Sequence, residues 1–127
     1  LEHDDLMLKV EYLNSQDGRY KTQAYLFTIE ALEFTMVRLG RRGHVSGREL
    51  LEGVAMLAKR EFGPTARMVF ESWGVRETRD FGEIVFSLVG AGLLGKTDED
   101  SIEDFDSVYD FDDVFEKRYD WEVGGSP

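Results

Sequence analysis

Apolar positions in residues 20–34 recur every three to four residues, at Tyr20, Ala24, Phe27, Ala31 and Phe34, and Leu39 follows five residues on, with Tyr25, Leu26, Ile29, Leu32 and Val37 widening the stripe. That period stacks side chains on one face of an α-helix, so a long core helix is predicted there, ended by Gly40. A shorter helix is expected over residues 4–13, opened by Asp4 or Asp5. NSQDG at 14–18 reads as the following turn, because these residue types bond their own backbone or accept positive φ.

SGRE at 46–49 has capping-box form: the Ser46 hydroxyl and the Glu49 carboxylate each take a backbone N–H orphaned at a helix start. The helix it opens reaches Phe62, with Leu50, Leu51, Val54, Leu57 and Ala58 inward. Gly63 closes it. Pro64 is tolerated in a first turn and starts a fourth helix over 64–73, with Ala66, Val69, Phe70 and Trp73 inward and Gly74 at its end. A fifth runs from Thr78 or Arg79 to Leu94 and places Phe81, Ile84, Val85, Leu88 and Val89 on one face. EIVFSLV at 83–89 also has the composition of a strand, which leaves a second assignment open.

Beyond Thr97 the pattern changes. Phe105, Val108, Tyr109, Phe111, Val114, Phe115, Tyr119 and Trp121 are spaced among acids, as in short helices lying on a larger body. The resulting picture is mainly α: a compact single-domain bundle of about five helices over residues 1–97, and an acidic aromatic C-terminal arm over 98–127. The arm is expected to pack on the body and to be disordered at its GGSP end. Helices at 46–62, 64–73 and 79–94 followed by GLLGKT also have the order of a winged helix across residues 46–97.

Length and composition add constraints. The chain has 127 residues, 42% of them hydrophobic, enough for one core. It has no cysteine, which removes disulfides, thiolate metal sites and cysteine nucleophiles. No apolar run reaches the roughly 18 residues of a membrane span, and the acidic start lacks the basic and apolar regions of a signal peptide. No membrane association and a cytoplasmic location are expected. The net charge of −11 is uneven: residues 1–97 hold 14 acids and 13 bases, whereas residues 98–127 hold 12 acids and 2 bases. An acidic arm repels nucleic acid and favours a basic partner or a basic face of its own body.

GAGLLGKT at 90–97 satisfies the phosphate-loop pattern, with Gly90, Gly95, Lys96 and Thr97 in the cradling positions. The chemistry needs a strand entering the loop and a helix N-terminus leaving it, so that N–H groups and positive dipole face the phosphates. Here Asp98, Glu99 and Asp100 follow Thr97 directly. Each close carboxylate–phosphate pair costs about 1 kcal/mol even at the dielectric constant of water. The structural alternative makes Gly90 and Gly92 close-packing positions late in a helix, Gly95 its C-terminal cap, and Lys96 a favourable charge at the helix end.

DEDSIEDFDSVYD lacks the sixth-position glycine of a calcium loop and has Ile102 at the fifth, where an oxygen ligand belongs. As a DNA-reading helix, residues 79–94 offer Arg79, Asp80, Gly82, Glu83, Ser87 and Gly90 on the polar side, a poor base reader. RLGRRGH at 38–44 is the basic cluster of the chain, and Arg38, Arg41 and Arg42 can cap helix carbonyls, bind an anion or hold the acidic arm. His44 has no serine or carboxylate partner indicated by spacing, so it reads as a turn residue.

HVSGRELLEG at 44–53, FGPTARMVFESWGV at 62–75 and DFGEIVFSLVGAGLLGKTDED at 80–100 resemble a Verrucomicrobia- and Planctomycetes-restricted family of uncharacterised small bacterial proteins. AYLFTIEAL at 24–32 and VYDFDDVF at 108–115 extend the resemblance to about residues 20–120. It implies a small soluble bacterial protein and carries no activity, cofactor or catalytic residue.

The expectation is a non-enzymatic protein-interaction or scaffolding module with no cofactor, no metal and no catalytic residue. Its partner is a protein, a second copy of the chain included, met through Arg38, Arg41 and Arg42 or through Phe105, Tyr109, Phe111 and Phe115. Nucleotide binding through GAGLLGKT and a winged-helix DNA-binding regulator are the alternatives.

Overall fold

A computed structural model describes residues 2–95 and 100–117. Five α-helices form the body: α1 Glu2–Asp17, α2 Thr22–Leu39, α3 Gly47–Phe62, α4 Ala66–Ser72 and α5 Thr78–Gly90. Single 3₁₀ turns lie at Gly63–Thr65 and Ile102–Phe105, and a π-helical turn at Asp112–Lys117. Among the described residues there is no strand. The strand assignment for 83–89 is therefore overturned: these residues lie inside α5. The winged-helix order lacks its β wing among the described residues for the same reason.

Local chemistry sets the helix starts. At α3 the Glu49 N–H donates to Ser46 Oγ at 3.1 Å and the Ser46 N–H donates to Glu49 Oε1 at 2.9 Å, the reciprocal box read from SGRE. At α5 the Asp80 carboxylate takes the backbone N–H groups of Arg76 and Glu77 at 2.8 and 3.1 Å. Its other oxygen accepts the Tyr20 hydroxyl at 2.6 Å, which ties the start of α5 to the entry into α2. Burial, and after it the hydrogen bond to Asp80, hold the Tyr20 phenol above its ordinary value.

Three helices end alike. In α2, α4 and α5 a glycine in the left-handed region (Gly40, Gly74, Gly92) bonds back three residues, and the next residue bonds back five. This pairing satisfies the last carbonyls of each helix. At α5 the Gly92 N–H reaches the Val89 carbonyl at 3.0 Å and the Leu93 N–H reaches the Leu88 carbonyl at 2.9 Å. The helix stops at Gly90 rather than Leu94, and Gly92, with φ of 79°, turns the chain in place of Gly95. Nor are Gly90 and Gly92 close-packing positions, since a Cβ on either would meet nothing within 4 Å.

Further boundaries differ from expectation. Helix α1 begins at Glu2, so Asp4 and Asp5 lie inside it rather than opening it. Helix α1 continues through Asn14–Ser15–Gln16 to Asp17, with Ser15 Oγ donating to the Tyr12 carbonyl at 2.7 Å along the helix. Pro64 opens a 3₁₀ turn, and α4 begins only at Ala66.

The core is aromatic at its centre. Phe70 has the rings of Phe27, Trp73, Phe81, Phe111 and Phe115 within 5.2–5.7 Å of its own and the ring of Phe62 at 6.4 Å. Leu50, Leu51, Val54, Leu57 and Ala58 are buried on α3 as the periodicity requires. On α2 the buried face instead includes Thr28 and Thr35, whose hydroxyls return to the Ala24 and Ala31 carbonyls at 2.8 and 2.7 Å. Gly53 lets α3 approach Thr35 so closely that any Cβ there would collide with the threonine oxygen. Val37, counted with the α2 stripe, is 82% exposed.

Candidate functional site

Residues 100–116 lie against the body, and the seam begins at a buried threonine. Thr78 Oγ1 donates to the Phe105 carbonyl at 2.6 Å and accepts the Val108 N–H at 3.1 Å. The Phe105 ring fills the space between Gly47 on α3 and Gly82 on α5, where a Cβ would stand 3.0 and 2.8 Å from it. Farther along, Phe111, Val114 and Phe115 are buried, and the Tyr109 hydroxyl donates to the Leu51 carbonyl of α3 at 2.7 Å. Burial holds the Tyr109 phenol above its ordinary value, with the Glu52 charge adding to it. Phe105, Tyr109, Phe111 and Phe115 are thus engaged by this chain's own body rather than presented to a partner.

Charge completes the seam. Arg79 meets Asp106 at 2.7 Å, a hydrogen bond that raises the guanidinium above its ordinary value. Arg67 faces Asp112 and Glu116, the latter at 3.2 Å, while its Nε holds Glu71 at 3.0 Å. Three acids of the arm, Asp106, Asp112 and Glu116, therefore find cations on α4 and α5.

The RLGRRGH cluster turns instead toward α3. Arg38 lies 3.8 Å from Glu52, and Arg41 forks onto Glu49 at 3.2 and 2.7 Å while reaching the His44 carbonyl at 3.3 Å. Arg41, and then the Ser46 backbone N–H, pull the Glu49 carboxyl down to about 2. Arg42 is exposed.

In GAGLLGKT, Lys96 and Thr97 lie outside the described residues, as do Asp98 and Glu99. Residues 83–90 are helical, Gly90 is the last residue of α5, and Gly95 follows the turn at Gly92. A carbonyl-rich helix end, rather than a strand, delivers the chain into this segment.

Beside that segment opens a cavity of about 460 Å³. Its walls come from α2, the start of α3, α5 and the arm, and include Leu32, Met36, Leu50, Val85, Phe86, Leu94 and Phe105. His44, Asp100, Ser101 and Asp104 add polar groups. His44 Nε2 stands 3.4 Å from Asp100 Oδ1, a pairing that no spacing in the sequence signals.

A second feature lies on α1. Leu6, Val10 and Leu13 face the core, whereas Leu8 and Tyr12 point outward, 65% and 64% exposed and one helical turn apart. The sequence reading singles out neither. Periodicity shows one apolar stripe per helix, while α1 carries two, and the second is visible only once the first has been docked.

No family model matches the chain, and no curated protein or solved structure matches it either. Among the described residues no helix is long and apolar enough to cross a membrane.

Proposed function

We propose that the protein is a non-enzymatic protein-interaction module whose contact surface is the outer face of α1. The observation that carries this reading is the Leu8–Tyr12 pair. Large apolar side chains at i and i+4 on a helix already docked by its other face have the spacing of anchors that enter an apolar groove on a partner. Scattered single apolar residues need no such account, but a pair one turn apart forms a continuous strip. The α1 sequence holds five acids, Glu2, Asp4, Asp5, Glu11 and Asp17, against the single lysine Lys9, which favours a basic rim around the partner's groove. The arm anchors are engaged in cis, as are Arg38 and Arg41, which leaves α1 as the better placed surface.

The size of the native complex tests this. Tagged wild-type protein in extract from its own cells is expected to elute in a larger species than the purified chain. The double variant Leu8→Lys, Tyr12→Lys is expected to elute at the size of the purified chain while keeping its helical circular dichroism. Wild type and variant eluting together would contradict the reading.

A further inference from the structure

We infer that the cavity between α2, α3, α5 and the arm receives the hydrocarbon tail of a small molecule, which enters tail first. Its volume of about 460 Å³ falls in the range of small-ligand pockets. Leu50, Phe105 and Thr28 line it and are themselves buried, so they form its floor. Leu32 and Met36 of α2 and Val85 and Phe86 of α5 also line it and are only half-buried. These four side chains keep apolar surface that a tail in the cavity would remove from water, and burial of that kind is favourable in proportion to area.

Hydrogen bonding sets the direction of entry. On the floor the Thr28 hydroxyl gives its proton to the Ala24 carbonyl at 2.8 Å and has none left for a ligand. The other polar side chains of the described walls are less buried: His44 and Asp104 are exposed, Ser46 and Ser101 half-buried. They form the rim, and three of them are bonded within the chain. Ser46 Oγ accepts the Glu49 N–H at 3.1 Å, Ser101 Oγ accepts the Glu103 N–H at 3.3 Å, and the Asp104 carboxylate accepts the Ser101 N–H at 3.2 Å. A hydroxyl or charge on the leading end of a ligand would come to rest against Leu50 and Phe105, and a buried polar group without a partner is costly. The described residues of 28–50, 85–94 and 101–105 select the tail, and neither Asp100 nor residues 96–99 take part in that selection.

This inference is independent of the α1 surface. It is tested by titrating ¹⁵N-labelled protein with hexanol, octanol and octanediol, the last with a hydroxyl at each end; the three share a head and differ in the length and polarity of the tail. The expected result with octanol is saturable shifts confined to amides around 44–47, 85–86 and 101–105, together with nuclear Overhauser contacts from its chain to the Met36 and Val85 methyls. Octanol should bind about tenfold more tightly than hexanol, the effect of burying two further methylenes. Octanediol should bind about tenfold more weakly than octanol, because its second hydroxyl is buried without a partner. Val85→Trp should fill the cavity and abolish binding of all three, with an unchanged amide spectrum away from the site to verify its folding. Octanediol binding as tightly as octanol would overturn the inference, as would undiminished octanol binding in a folded Val85→Trp variant. In the wild type, octanol shifts that do not saturate, or that centre on Leu8 and Tyr12 instead, would do the same.

Discussion

Thr78 and Phe105 are joined through a hydroxyl with no exposure to solvent: Thr78 Oγ1 donates to the Phe105 carbonyl at 2.6 Å while accepting the Val108 N–H at 3.1 Å. One side chain on the first turn of α5 thereby satisfies two backbone groups of the arm. Thr78→Val keeps the shape and leaves both groups without their partner, which costs about 1–3 kcal/mol for a buried unsatisfied group. The denaturation midpoint should fall, and protease should cut the arm faster than in the wild type. Thr78→Ser should restore most of the loss. An unchanged midpoint in Thr78→Val would show that the arm does not depend on this bond.

The glycines separate by what surrounds them. Gly82→Ala places a methyl 2.8 Å from the Phe105 ring and should destabilise by about 1–3 kcal/mol, the usual range for overpacking. Gly90→Ala, in the last turn of α5 with nothing within 4 Å, should be neutral or stabilise by about 0.5–1 kcal/mol. Gly92→Ala forces a Cβ into the left-handed region and should cost about 1–2 kcal/mol. Thermal unfolding of the three variants checks the order. A Gly90→Ala variant less stable than Gly82→Ala would contradict it.

Glu49 gives the pH dependence. Its carboxyl is lowered from 4.5 to about 2 by Arg41 and the Ser46 N–H, so the folded state binds its proton more weakly than the unfolded state does. The stability it contributes is fully present above the ordinary value of 4.5 and is lost as pH falls through that value toward about 2. Carboxyl NMR should show Glu49 titrating near 2 in the wild type. Arg41→Ala should move the midpoint upward toward the ordinary glutamate range. A midpoint unmoved by that substitution would assign the shift to the capping box alone.

Elements set by local chemistry are legible in the sequence, and those set by remote contacts are not. Ser46 and Glu49 cap α3 where their letters place them, because both halves of a capping box lie within one turn. The end of α5 is misplaced because Gly90, Gly92 and Gly95 compete, and composition does not say which takes positive φ. Thr28 and Thr35 escape a search for apolar stripes, yet they are buried because each hydroxyl returns to its own helix. Val37 fits the period and still faces solvent, since among the described residues no element covers that side of α2. His44 and Asp100 meet only through the fold, and the cavity beside them is assembled from four separate segments. The exposed strip of α1 is hidden for a simpler reason: Leu8 and Tyr12 read as part of an ordinary amphipathic helix.

Phe70 stands where body and arm rings meet, so truncation tests whether they form one cooperative unit. Phe70→Ala should cost about 3–5 kcal/mol. Fluorescence of Trp73, 5.7 Å from Phe70, and amide signals of the arm should change in a single transition. An arm that unfolds well before Trp73 responds would show two separate units.

Site-specific photo-cross-linking tests the interaction surface most directly. A photoreactive phenylalanine at position 12, introduced in the protein's own cells, is expected to give a discrete adduct with a partner protein of a different sequence. The adduct should disappear when Leu8→Lys is added, and the same group at the exposed position 33 should give none. An adduct pattern at position 12 indistinguishable from that at position 33 would contradict the assignment of α1 as the contact face.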